Sequence, residues 1–127
     1  MLMRISAVAF IFMMCILPAA EADQLGVAVY PGAKYDFIRT SFLAENQSIQ
    51  GAAYRTSDNL AKVIVFYRKQ GLLLLKIGSP SKEHARFKNV ENNVDVVIQQ
   101  PWKDPQTGAT MNDTLILILK EKEQGGQ

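Results

Sequence analysis

The chain is poor in the residues that carry most small-protein chemistry. Among its 127 residues there is one cysteine, Cys15, and one histidine, His84. A single cysteine forms no intramolecular disulfide and assembles no multi-thiolate metal site. The lone histidine has no H-x-x-x-H partner, so a zinc or copper centre would need carboxylates to complete it. Gly-rich phosphate loops are missing too, since Gly125-Gly126 belongs to the C-terminal tail. No G-x-S-x-G elbow occurs, which leaves a Ser-His-Asp arrangement without local support. Most acids sit in turns and caps, as solvated carboxylates do, and no pair suggests glycoside chemistry. Asp104 to Gly108 is rich in oxygen but lacks the D-x-[DN]-x-[DN]-G spacing of a calcium loop, and it reads as a turn. Net charge is only +2, too mild to call for a polyanionic partner, so no nucleic acid is expected. No catalytic residue, metal or cofactor is assigned.

The N-terminus differs in kind from the rest. Arg4 precedes an almost wholly apolar run from Ile5 to Leu17, and Ala20 and Ala22 offer the small residues of an A-x-A cleavage site. That layout is a secretory signal peptide over residues 1–22, with the mature chain starting at Asp23. The run is short of the roughly 20 residues that span a bilayer, which weighs against a retained anchor. A lipoprotein acylated at Cys15 would need small residues in place of Phe12-Met13-Met14. The expected address is periplasmic or secreted, with no membrane span after cleavage. Cys15 then leaves with the signal, and stability rests on the core alone.

The remainder is organised around Arg55 to Gly71. Ser57 and Asp58 offer side-chain oxygens to the free N–H groups of a first helical turn. Leu60, Val63, Ile64 and Tyr67 fall at i, i+3, i+4 and i+7, Lys62, Arg68 and Lys69 take the other side, and Gly71 supplies a C-cap. The pattern predicts a helix over 58–70. A second helix is expected over 36–45, capped by Asp36, with Phe37, Ile38, Phe42 and Leu43 at helical spacing. Leu25 to Tyr30 reads as a strand running into a Pro31-Gly32 turn, and 50–56 as a strand leading into the central helix. The six-residue run Leu72 to Ile77 follows a helix stop and reads as a buried strand. Val94, Val96 and Ile98 point one way and Asp95, Val97 and Gln99 the other, a core face and a partly wet one, and Leu115 to Leu119 is apolar at every position. These two runs predict a long hairpin whose second strand is central in the sheet. The expected fold is α+β: a two-layer domain over 23–120, with a mainly antiparallel sheet of about five strands packed by one or two helices. Residues 121–127 read as a flexible polar tail.

Three groups of residues are candidates for contact. Trp102 lies in a proline-bounded turn with Lys103 and Asp104 beside it, placed either to meet a partner or to fold back over the end of the hairpin. If 82–88 is extended, Lys82, His84, Arg86 and Lys88 form a basic ridge, with Ala85 and Phe87 turned inward. The plainer reading of that ridge is a solvated edge that discourages aggregation. Tyr54, Phe66 and Tyr67 would line a pocket between helix and sheet.

Val29-Tyr30-Pro31-Gly32-Ala33, together with Thr56-Ser57-Asp58, Val65-Phe66-Tyr67 and the stretch Ile98 to Asp104, resembles a group of small uncharacterised exported bacterial proteins. These have a Y-P-G-A turn and a helix ending near F-Y. The resemblance covers most of the chain after Ala22, implies a periplasmic domain and transfers no catalytic residue. The expected function is a non-enzymatic periplasmic or secreted binding or accessory domain, with an unknown envelope protein or small ligand as partner. The alternatives are a small-ligand carrier with a helix–sheet pocket and a small hydrolase-like enzyme.

Overall fold

A computed structural model describes residues 23–77 and 84–122. The signal peptide expected over 1–22, Lys82 of the expected ridge and residues 123–127 of the expected tail lie outside the described residues. Asp23–Gln24 (β1) and Val27–Ala28 (β2) pair about Leu25 and Gly26, both at positive φ. A tight turn of that kind replaces the single strand expected over Leu25 to Tyr30. Lys34–Tyr35 (β3) follows the Pro31-Gly32 turn, which is closed by a hydrogen bond from the Ala33 N–H to the Tyr30 carbonyl.

Helix α1 spans Phe37–Ala44, and the Asp36 side chain accepts from the Arg39 N–H at 2.8 Å, the cap expected from sequence. After Ile49–Thr56 (β4), helix α2 runs over Leu60–Lys69. Its cap is Asn59, which accepts from the Lys62 N–H, rather than Ser57 or Asp58. Asp58 is engaged elsewhere: it accepts from the Tyr30 hydroxyl at 2.6 Å. Gln70 is the C-cap, and Gly71, at φ +83°, takes the left-handed conformation that ends the helix. Then come Leu73–Ile77 (β5), His84–Asn89 (β6), Val94–Gln99 (β7), Trp102–Lys103 (β8), Thr110–Met111 (β9) and Thr114–Glu121 (β10).

The main sheet has six strands rather than about five, in the order β3-β4-β10-β7-β6-β5, and every neighbouring pair is antiparallel. The residues expected as a strand over Leu25 to Tyr30 lie outside this sheet, in the β1–β2 pair, and its two additions are β6, expected only if 82–88 is extended, and the two-residue β3, too short to be read from periodicity. Strand β10 lies in the middle as its unbroken apolar run predicted, pairing Ile116 with Tyr54 on one side and Ile98 on the other. Close approach is built in at Gly51, where a Cβ would run into the Ile118 carbonyl oxygen. Of the expected tail, Glu121 belongs instead to β10 and the Lys122 N–H donates to the Ser48 carbonyl.

Alternation along the strands sorts the core onto two faces. Ala52, Tyr54, Ile116, Ile118, Val94, Val96, Ile98, Ala85 and Phe87 pack against Val63 and Tyr67 of α2 and against Val27, Val29 and Tyr30. The intervening residues Ala53 and Leu115 point the other way, meeting Trp102 with Leu43 and Met111. Apolar packing therefore occupies both faces of the sheet. Helix α1 lies along the outer edge of β4, where Ala53 donates to Thr40 Oγ1 at 2.9 Å and accepts from the Asp36 N–H at 2.8 Å. Strand β5 departs from expectation: it ends the sheet, and Leu73 and Leu75 are half exposed where a buried strand was predicted. Its run of leucines signals burial by composition, but among the described residues only β6 pairs with it.

Within the α2 stripe, Val63 and Tyr67 are fully buried while Leu60 and Ile64 are only partly so. Tyr67 also donates its hydroxyl to the Ala28 carbonyl at 2.7 Å. Tyr67→Ala is expected to lower unfolding free energy by about 3 to 5 kcal/mol, Ile64→Ala by less, and Lys62→Ala by under about 0.5 kcal/mol. Urea denaturation checks that order, and equal losses at Tyr67 and Lys62 would contradict it.

Candidate functional site

Charged groups spread along the sequence converge where β4, α1 and the start of β10 meet. Arg55, on β4, donates Nε to Asp113 Oδ2 at 2.7 Å and lies 3.5 Å from Asp36 Oδ2 through Nη1. Asp113 Oδ1 accepts from the Trp102 indole N–H at 3.0 Å, so this one carboxylate serves two donors. The hydrogen bond from Arg55 to Asp113 raises the pKa of the guanidinium, burial pulls it down, and the charges of Asp113 and Asp36 add to the upward shift. Arg39 donates Nη2 to Asp104 Oδ2 at 2.8 Å, with both side chains nearly buried. Its Nε and Nη1 are buried without a hydrogen-bond acceptor. The Trp102 and Phe42 rings, 5.2 and 6.0 Å from the guanidinium carbon, give that charge π faces in place of oxygens. Arg55 lies 5.0 Å from the same indole, so Trp102 is in contact with two guanidinium groups.

This network forms part of the floor of an open cleft of about 570 Å³ lined by Lys34, Tyr35, Asp36, Phe37, Ile38, Arg55, Ser57 and Asp113 among others. Tyr35, Phe37 and Ile38 stand at its rim, each half or more exposed, with Phe37 at 70 %. Tyr35 is held edge-to-face on Tyr54 at 5.7 Å. A second open cleft, of about 600 Å³, lies across the Pro31 turn between Tyr30, Asp58, Lys62, Val65, Phe66 and Lys69. There the Tyr30 hydroxyl is pushed up to about 12 by its hydrogen bond to Asp58, by burial and by the Asp58 charge.

The residues singled out from sequence fall into three places. Trp102 is 5 % exposed and packs on Ala53 and Leu115, which is the folded-back alternative; its face is not available to a partner. Lys103 beside it is exposed and pairs through β8 with Thr110. His84, Arg86 and Lys88 do alternate on one face of β6, with Ala85 and Phe87 buried behind them. The ridge carries its own counter-ion, however. Asp95 on β7 meets Arg86 at 2.6 Å and Lys88 at 3.1 Å, which removes most of the free positive charge. Burial alone would push the Asp95 carboxyl up, but hydrogen bonds and charge from Arg86 and Lys88 outweigh it and hold it low.

The helix–sheet pocket is filled. Tyr67 occupies it fully buried, Phe87 lies behind at 6.1 Å between ring centroids, and Tyr54 donates its hydroxyl to Gln24. Phe66 is edge-on to Tyr67 at 4.9 Å and to Tyr30 at 5.3 Å, and of the three expected pocket residues it alone lines the cleft at the Pro31 turn. Sequence reading missed the cleft at Tyr35, Phe37 and Ile38 because Phe37 and Ile38 were counted with the packing face of α1. At about 3.6 residues per turn, Phe37 falls opposite Arg39 and Leu43, and that projection carries the signal.

Among the described residues, no three His, Cys, Asp or Glu side chains converge on a point that could hold a metal ion. No described helix is long and apolar enough to cross a membrane. No protein-family model, curated protein or solved structure matches the chain.

Two measurements probe the electrostatics. Asp113→Ala strips an acceptor from both Arg55 and Trp102 and is expected to cost about 2 to 3 kcal/mol in urea unfolding, whereas Lys103→Ala should be nearly silent. For Asp95 the folded pKa is depressed, so its stabilisation is present above the unfolded carboxylate value of about 3.9 and is lost as pH falls through the lower folded value. Asp95→Asn should therefore unfold at lower urea than wild type at neutral pH, with the gap closing in acid. A gap independent of pH would show that the Asp95 charge plays no part.

Proposed function

We propose that this chain is a non-enzymatic binding or accessory domain of the periplasm or the secreted space, and that its partner surface is the cleft between β3 and α1. The observation that carries this reading is the grouping of Tyr35, Phe37 and Ile38. Three large apolar side chains stand exposed together at the rim of a concave surface, next to a floor of groups already paired to one another. Scattered single exposed residues are normal on a monomer, but a contiguous apolar rim around a polar centre is how interaction sites are built. The acids at the cleft also favour binding over catalysis. Asp36 caps α1 and faces Arg55, and Asp113 is shared by Arg55 and Trp102, which leaves neither poised for proton transfer. The signal-like N-terminus and the resemblance to small exported proteins read from the sequence support that address.

Phe37→Ser combined with Tyr35→Ser tests the proposal, since neither side chain is buried and both changes should leave the melting temperature within a degree or two of wild type. Tagged wild-type protein is expected to retain a specific partner from envelope extract, and the double variant to lose it at unchanged stability. Equal recovery by both proteins would move the contact surface elsewhere.

A further inference from the structure

We infer that the cleft across the Pro31 turn is a binding site for a small amphiphile, a free molecule that joins one anionic group to an apolar body. Its long wall is the outer face of α2, whose sequence over Leu60–Lys69 contains three cations and no acid. Lys62 and Lys69 line the cleft, and Arg68 stands exposed beside it. Every ion pair among the described residues lies on other elements, so no described carboxylate neutralises these three. The acid that does line the cleft, Asp58, is already engaged: its Oδ2 accepts from the Tyr30 hydroxyl at 2.6 Å, which braces the turn against the start of the helix. Two cations against one engaged carboxylate leave the lining positive, and that sign selects an anion.

Val65 and Phe66, which lie between the two lysines, specify the apolar half of the ligand. Val65 is half exposed and belongs to neither apolar cluster of the described residues. A β-branched side chain has no propensity reason to stand on the outside of a helix, so its place there calls for a contact. The Phe66 ring is fixed edge-on to Tyr30 at 5.3 Å and to Tyr67 at 4.9 Å, and the surface it offers is rigid. At about 1.5 Å per residue, Lys62 and Lys69 stand about 10 Å apart along the helix axis. A cation at each end of an apolar stretch fits a head group at one lysine and a chain or ring laid over Val65 and Phe66. The volume of about 600 Å³ lies within the range of small-molecule sites. A bilayer surface meets convex parts of a protein first, whereas a groove between a helix and a turn takes a single molecule.

Calorimetric titration with decanoate, kept below its micelle concentration, is the direct test, and saturable one-to-one binding with a Kd below about 1 mM is expected. Decanol and decylammonium, which share the apolar body, and acetate, which shares the anion, should each bind at least about tenfold more weakly. Lys62→Gln with Lys69→Gln should weaken decanoate binding at least about tenfold at an unchanged melting temperature, since both side chains are exposed. Val65→Ser should weaken it with both lysines in place. Lys103→Gln and Phe37→Ser should leave it unchanged, the second separating this cleft from the one between β3 and α1. In the wild type, decanoate should shift the amide resonances of residues 61–66, a reading that needs no variant to fold. Decanol bound as tightly as decanoate, or decanoate binding undiminished by the lysine pair, would overturn the inference. So would the absence of saturable decanoate binding, whether or not the protein instead sediments with phosphatidylglycerol vesicles, the mark of a bilayer contact, or binds poly-glutamate, the mark of an acidic peptide.

Discussion

The Asp113 carboxylate is the point on which the half of the molecule that carries the β3–α1 cleft turns. With one oxygen on the Trp102 indole and the other on Arg55, it ties the start of the central strand β10 to β4 and to the small β8–β9 hairpin. Arg55 then reaches Asp36, the residue that caps α1. A partly buried carboxylate with two donors contributes far more than an exposed pair, because each donor left behind would be desolvated without an acceptor. The position of α1 against the sheet edge, and with it the orientation of Phe37 and Ile38, follows from this chain of contacts. Arg39 strengthens the same junction from the helix side through Asp104 and the ring of Trp102.

The two faces of the sheet are stabilised by different means. Behind α2 the packing is almost purely apolar, centred on Tyr67, Phe87, Ile98, Ile116 and Ile118, and each fully buried side chain of this kind contributes about 1.5 to 3 kcal/mol. On the opposite face the apolar cluster is small, with Ala53, Trp102 and Leu115 at its centre. Paired charges and cation–π contacts complete it. The first face supplies most of the stability, and the second fixes geometry near the cleft.

What could be read from the sequence was whatever repeats with the period of an element. The alternation Val94-Val96-Ile98, the unbroken run Leu115 to Leu119 and the stripe of α2 all carry such a period, and the sheet and its central strand followed. What escaped depends on pairing between distant residues. Arg55 meets Asp113 across 58 positions and Arg39 meets Asp104 across 65, and no local pattern announces either. Asp58 looked like a helix cap because its side chain suits that role, but the Tyr30 hydroxyl takes it and Asn59 caps instead. Leucine composition in β5 suggested burial; whether a strand is flanked on both sides is a matter of topology, which composition does not encode. The candidate site shared this fate. Trp102 was conspicuous as the only tryptophan, yet its alignment with Asp113 buries it, while Phe37 and Ile38 were hidden in an apparent core stripe.

That lone indole, in contact with two guanidinium groups and tied by its N–H to a carboxylate, makes the molecule its own spectroscopic instrument. All of the tryptophan emission comes from one position, at the junction of α1, β4 and the hairpin. Arg39, which touches the ring, is one residue from Ile38 and two from Phe37 on the same short helix. Any ligand that shifts that helix changes the field around the indole, so occupancy of the cleft can be followed as a change in emission energy without a label.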